Sequence, residues 1–215
     1  MKKPFAIDSS WWDELAFREC FSSSAMSYIQ TRLLPNCEHS PKNPKDIFKA
    51  YSLPVNKVRI VILGQDPYPN VDDATGLAFG IPRYDKLTYS LKEICKHLPI
   101  ESFDPTMEFL HNQGVLLLNT SFTCEVGKPD SHKAQWKDTG IIDATIEVLN
   151  NYKVIWMLWG SRAKEYRSQI QNPVFEANHP AGVRYGHTFS PQFDKVKELI
   201  KQQYPFEDFK WVLPF

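Results

Sequence analysis

Residues Ile60 to Pro69 read IVILGQDPYP, and this stretch decides the fold. Four apolar residues in a row with no polar alternation describe a strand buried on both faces, the pattern of a parallel sheet covered by helices. The glycine that follows ends the strand. Beyond it Gln65, Asp66 and Tyr68 are spaced by Pro67 and Pro69, so an amide, a carboxylate and a phenol leave a core strand on a stiffened turn.

Three further runs share this character: with Val58 to Leu63 they are Val115 to Leu118, Val154 to Trp159 and Val174 to Ala177, each expected to be buried on both faces. Helical patterns separate them. Ser90 with Glu93 fits a capping box, Asp104 before Pro105 fits an N-cap and first-turn pair, and Ser190 before Pro191 repeats that signature. Alternating strand and helix predicts an α/β fold, a central four-stranded parallel sheet flanked by helices. In such sheets ligands sit beyond the carboxyl ends of the strands, where the loops after Leu63, Leu118, Trp159 and Ala177 gather.

Upstream, Ser9 and Ser10 are placed to cap a helix carrying Trp11, Trp12, Leu15, Phe17 and Phe21, and a second helix is expected over Ala25 to Leu34. Pro35 to Pro44 reads as a loop. At 215 residues and 42% hydrophobic content the chain reads as one domain, 1–215, with residues 1–45 as a helical lead. No apolar run approaches the roughly 20 residues that span a bilayer, and Met1 to Ser10 lacks the apolar core of a secretory signal. The reading is an intracellular, cytoplasmic chain with no membrane partner, nucleoid-associated if bacterial, and a monomer.

Cys20, Cys37, Cys95 and Cys124 are scattered, with no metal-ligand spacing, so no metal and no cofactor are expected. Net charge is formally zero, which gives no electrostatic prior for nucleic acid. Residues 151–215 carry nine Lys/Arg against six Asp/Glu, a slight basic bias.

Several segments together carry a resemblance. IVILGQDPYP resembles the water-activating motif of family 1 uracil-DNA glycosylases, which usually has His where this chain has Pro69. Gly76 to Phe79 (GLAF) resembles that family's segment bearing the stacking aromatic, and Gly114 to Thr120 (GVLLLNT) resembles the strand ending in its base-reading asparagine. Val154 to Ser161 (VIWMLWGS) resembles the strand leading to a Gly-Ser phosphate contact, and Asn178, His179 and Pro180 open a stretch similar to its histidine loop. Ser131, His132 and Trp136 fit the intervening pattern in a structural capacity. The likeness runs in order from about Ile47 to Phe189.

The resemblance implies hydrolysis of the N-glycosidic bond of deoxyuridine in DNA, single- or double-stranded, to free uracil and an abasic site. Asp66 would orient or deprotonate the attacking water and steady the oxocarbenium ion, and neutral His179 would donate to uracil O2, with the Gln65 backbone N–H assisting. An amide at Asn119 accepts from N3–H while donating to O4, which cytosine cannot match. Thymine differs only by a methyl group, so its exclusion is steric and falls to Tyr68. Phe79 supplies stacking worth roughly 1–3 kcal/mol. Ser161 and Ser90 are phosphate candidates, the latter with the plainer role of N-cap.

Two segments depart from the pattern. Where the family reads HPSPLS, this chain has His179, Pro180, Ala181, Gly182, Val183 and Arg184, which leaves Val183 or Arg184 as the wedge that enters the duplex. A proline-rich loop is replaced by Tyr84 to Tyr89. Both concern opening DNA, so altered duplex handling is expected, with a preference for single strands, and binding of a proteinaceous inhibitor of the family stays open. The competing readings are a non-catalytic DNA-binding or processivity subunit on the same fold, a glycosylase for mismatched thymine, which would favour Asn at 66 and a small residue at 68, and a metal-dependent phosphoesterase, which would need clustered ligands.

Overall fold

The computed structural model describes residues 3–82, 85–98 and 103–212. The chain enters through α1 (Ser9–Asp13) and α2 (Leu15–Cys20), which the sequence suggests are one helix. Glu14 breaks it with extended backbone, φ −73° and ψ 118°. Trp11 and Phe17, six residues apart, would lie far round the circumference of a continuous helix. The break brings their rings to 5.4 Å. The cap is Asp8, which accepts from Ser10 N, and not Ser9 or Ser10. Ser10 Oγ instead accepts from Val55 N at 2.9 Å.

The second helix starts one residue early as α3 (Ser24–Tyr28), capped by Ser23, and then widens into a π turn over Ile29–Leu33. Within the expected loop His39–Ser40 forms a two-residue strand, β1, which pairs antiparallel with Cys124–Glu125. The lead is sewn into the body: Trp11 Nε1 donates to Leu53 O at 2.7 Å, and Trp11, Phe17 and Phe21 join Phe48, Tyr51, Phe122 and Trp136 in one aromatic cluster.

The principal sheet comprises β2 (Ile60–Gly64), β3 (Val115–Asn119), β5 (Ile155–Trp159) and β6 (Val174–Ala177), all parallel, in the spatial order β3-β2-β5-β6. In β2 and β5 every residue is buried, as their unbroken apolar runs predict. β6 departs from the expectation: Val174 and Phe175 are half-buried and Glu176 is exposed. It is an edge strand with a neighbour on one side only, whereas β3, at the opposite edge, is buried over Val115 to Leu118. The helices α4 (Tyr89–Cys95), α5 (Glu108–Asn112), α6 (Lys133–Lys137), α7 (Ile141–Leu149), α8 (Ser161–Lys164) and α9 (Phe193–Gln203) complete the chain with β4 (Cys124–Glu125). A single hydrophobic cluster runs from Ile7 to Trp211. Among the described residues no helix is long and apolar enough to cross a membrane.

Three expected caps are replaced. The N-cap of α4 is Thr88, whose Oγ1 accepts from Leu91 N; Ser90 lies inside the helix, buried, and its capping box with Glu93 does not form. Glu93 pairs with Lys96 instead. Asp104 opens a turn ahead of α5 and reaches into the helix, accepting from Thr106 N and Phe109 N. Met107, at φ 65°, holds the cap position of α5, and Gln192, at φ 57°, holds that of α9 two residues after Ser190.

β2 connects to β3 on one side and β5 lies on its other side, so the strand order reverses at β2. The crevice of an open parallel sheet forms at such a reversal, beyond the carboxyl ends. Gly64 to Pro69 leave the sheet at that point.

Candidate active site

A cleft of about 800 Å³ lies there. Gln65, Asp66 and Tyr68 after β2, Phe79, Ser90, Asn119 at the end of β3, Ser161 after β5, and His179 and Arg184 after β6 all line it. Of the residues given a catalytic, uracil-binding or DNA-binding role in sequence, only Val183 stays off the lining; it is half-buried and packs against the core.

The loop from Gly64 to Pro69 is held by its carbonyls. Gly64 O accepts from Thr120 N, Gln65 O from Ser121 N and Thr120 Oγ1, Pro67 O from Cys124 Sγ, Tyr68 O from Ser40 Oγ, and Pro69 O from Gly127 N. The two prolines have no N–H to satisfy. With the backbone anchored outward, the side chains are left to the cleft. Pro69 therefore fits a position whose carbonyl is used.

Asp66 accepts a short hydrogen bond from Asp130 N. Burial pushes its carboxyl above the usual range; the Asp130 N–H, the Gln65 side chain and the Arg162 guanidinium pull it back, while the Asp130 carboxylate adds to the rise. Tyr68 has its hydroxyl fully engaged, donating to Phe79 O at 3.2 Å and accepting from Thr88 Oγ1 at 2.7 Å. Burial pushes this phenol up and keeps it neutral. Thr88, which sequence reading does not single out, thus caps α4 and fixes the Tyr68 ring with one hydroxyl. Ser90 lies beside the same phenol, and its hydroxyl favours the ionised form.

Asn119 ends β3 opposite Gly64, and among the described residues its side-chain amide makes no hydrogen bond. A Cβ on Gly64 would meet Asn119 Oδ1 at 2.6 Å and the Phe79 ring at 3.1 Å. The glycine at this position is the clearance that lets amide and ring approach the strand. Phe79 sits at φ 65°, strained for an aromatic residue. Its ring lies 5.2 Å from Trp159 and 5.7 Å from His179.

His179 caps the short 3-10 helix Pro180–Tyr185, with Nδ1 accepting from Ala181 N at 3.2 Å. An accepting Nδ1 carries no proton, so the neutral ring bears its hydrogen on Nε2. Burial pushes the imidazolium pKa down to about 4, which keeps the ring neutral near pH 7. The contact uses the backbone of Ala181, and the missing hydroxyl at that position costs it nothing. Gly160, at φ 101°, admits the histidine: a Cβ there would lie 3.0 Å from His179 Cβ.

At the rim Ser161, first residue of α8, is exposed. Arg184 is committed to the Tyr89 ring, its guanidinium carbon 3.9 Å from the centroid. Tyr185, also absent from the sequence reading, lines the cleft and is 81% exposed. Tyr84, first residue of the replaced loop, lies outside the described residues. Ser131, His132 and Trp136 do have structural duties: Ser131 Oγ accepts from Glu125 N, and Thr123 Oγ1 bonds both His132 Nδ1 and Trp136 Nε1.

A neutral imidazole N–H, an unpaired amide, a carboxylate and an aromatic ring around one cleft make a set suited to a flat polar heterocycle. Comparisons with known proteins agree with that geometry. The family model described as the uracil DNA glycosylase superfamily matches residues 51–201. The uracil-DNA glycosylase of Aliivibrio salmonicida is 35% identical over 214 residues, covering 92% of this chain and 94% of that protein. That of Campylobacter jejuni subsp. doylei is 38% identical over 170 residues, covering 73% and 72%. Among solved structures, mimivirus uracil-DNA glycosylase superposes with a TM-score of 0.77 at 21% identity, covering 92% of this chain and 84% of that one. The fold is shared with that protein, and the extent of the match to the family model and to the bacterial relatives shows that this chain belongs to the uracil-DNA glycosylase superfamily.

Proposed function

We propose that this chain hydrolyses the N-glycosidic bond of deoxyuridine in DNA, releasing uracil and leaving an abasic site for base excision repair. The observation that carries the reading is the His179 ring, fixed as a neutral Nε2–H donor by the Ala181 N–H and by burial. As the bond from C1′ to the base breaks, negative charge grows on uracil and positive charge on the sugar. Donors aimed at the growing charge stabilise that transition state. His179 donates to O2. Asp66, held by Asp130 N, offsets the charge of the oxocarbenium ion, orients the water whose oxygen bonds to C1′ and accepts the proton that this water releases as uracil leaves as an anion.

Recognition divides among the other lining groups. The unpaired Asn119 amide accepts from N3–H and donates to O4, the Phe79 ring stacks on the base, and the Tyr68 ring closes the corner where thymine carries its methyl. Ser161 and the amides beside it grip a phosphate. The substrate nucleotide must leave the stack to reach this depth. Of the candidates for the group that enters the duplex, Val183 packs inward and Arg184 is stacked on Tyr89, so the exposed ring of Tyr185 is the better fit. The chain acts as a cytoplasmic monomer and favours single strands. The mimivirus relative has a variant in complex with UGI; binding of that inhibitor here depends on the same altered rim.

The test is cleavage at alkali-labile abasic sites in uracil-containing oligonucleotides. The unmodified protein should cut, with Asp66→Asn slower by about 10²–10⁴-fold and His179→Ala by about 10²–10³-fold. No cutting by the unmodified protein overturns the function, and full activity in Asp66→Asn overturns the mechanism alone.

A further inference from the structure

The group that holds Asp66 is itself held. Asp130 stands in the left-handed region at φ 64°, a conformation that Asp and Asn adopt more readily than other side chains. In this conformation its N–H points at Asp66 Oδ2. The Asp130 carboxylate is gripped by one guanidinium: Arg162 Nε and Nη2 both donate to Asp130 Oδ2, at 3.0 and 2.6 Å. Asp130 Oδ1 is buried and has no hydrogen-bond partner among the described residues. Arg162 is braced in turn by Glu165 at 3.2 Å, which also takes Lys133 and Lys137.

We propose that Arg162 is a positioning residue for the water-directing carboxylate, acting through Asp130, whose backbone it pins and whose charge it cancels. The proposal rests on the reading of Asp66 given above. The pair has two effects. A planar guanidinium with two bonds to one carboxylate restricts the Asp130 side chain more than a single ammonium contact would, and so holds the N–H on Asp66. It also screens Asp66 from a second negative charge. The charged and titratable groups around Asp66 are Asp130 from the loop after β4, Arg162 from α8 and Cys124 from β4, with the Gln65 amide beside them. Remove the guanidinium, and Asp130 becomes an unpaired carboxylate next to Asp66, which favours the protonated form of Asp66.

The experiment compares Arg162→Ala, Arg162→Lys and the double variant Arg162→Ala with Asp130→Asn against the unmodified protein on a single-stranded uracil oligonucleotide. It records kcat, KM and the pH profile, together with the Asp66 titration by side-chain NMR. Arg162→Ala should lower kcat about tenfold with KM within about twofold, and raise the acid limb and the Asp66 midpoint by about one unit. Lysine should restore part of the shift. In the double variant the added charge is gone, asparagine tolerates the same backbone angle, and the midpoint should return to its original value. An unmoved Asp66 midpoint in Arg162→Ala overturns the proposal. So does a change confined to KM and its salt dependence, which would mark Arg162 as a phosphate contact. The NMR titration reads the coupling whether or not the protein cuts DNA, so failure of this inference and failure of the glycosylase reading are separate results.

Discussion

Gly64 contributes to the site by the volume it leaves empty. Its missing Cβ would lie 2.6 Å from Asn119 Oδ1 and 3.1 Å from Phe79, so the amide and the ring occupy the space. Gly64→Ala should displace the amide, and misplacement by a few tenths of an ångström to 1 Å costs about 10²-fold. The expected result is a fall of that order in kcat/KM on uracil oligonucleotides in a protein that still folds; unchanged kinetics would show that Asn119 has room to move. At this scale the sequence puts Asp66, Asn119 and His179 on the loops after three strands, and the structure brings the three to one cleft. The sequence is silent where a residue works through geometry. Nothing in the letters Thr88 announces that its hydroxyl caps a helix and fixes a phenol at once, and the Asp130–Arg162 pair joins positions 32 residues apart.

Among elements, the interior strands were legible because a strand buried on both faces leaves a continuous apolar run, and β2 and β5 are such strands. β6 is less buried than its apolar letters suggest, and its edge place alone does not account for this, since β3 at the opposite edge is buried; β6 carries the exposed Glu176 where β3 has an unbroken apolar run. Helix boundaries were less legible. Ser90 and Glu93 satisfy the spacing of a capping box, yet Thr88 two residues upstream takes the cap, and propensity does not choose between adjacent hydroxyls. On the proposed function, the short helix Pro180–Tyr185 is the element that decides how a duplex is met. It turns Val183 toward the core, lays Arg184 on Tyr89 and leaves Tyr185 projecting. Single-stranded uracil should be cut faster than uracil in a duplex, and Tyr185→Ala should widen that ratio about tenfold, because a stacking ring is worth roughly 1–3 kcal/mol. Paired rate measurements on the two substrates check it; equal losses on both would remove Tyr185 from the duplex.

For the whole molecule, the same burial that tunes the site makes the protein acid-sensitive. His179 is pushed down to about 4 from 6.5, and burial also lowers His111 and His132. Above pH 6.5 these rings are neutral in both folded and unfolded chains and contribute no pH dependence. As pH falls from 6.5 toward 4 the unfolded chain takes up protons that the folded His179 refuses, and stability declines. Asp66, raised by burial, works in the opposite sense over its own range, since the folded form binds a proton first. Urea midpoints should therefore fall between pH 6.5 and pH 4, and His179→Ala should lessen the fall; an unaltered slope in that variant would assign the loss to other groups. The depth at which the N-terminal aromatics enter the core follows from the break at Glu14, which length and apolar content do not announce.

Arg184 is the one lysine or arginine among the described residues lining the cleft, and its guanidinium already rests on Tyr89. Each phosphate neutralised by a cation contributes about −0.9 to the slope of log affinity against log salt, so a rim with so little positive charge makes binding only weakly dependent on ionic strength. On the glycosylase reading proposed above, such a rim predicts many brief touches on DNA separated by excursions through solvent, with commitment only when a base has already swung into the cleft.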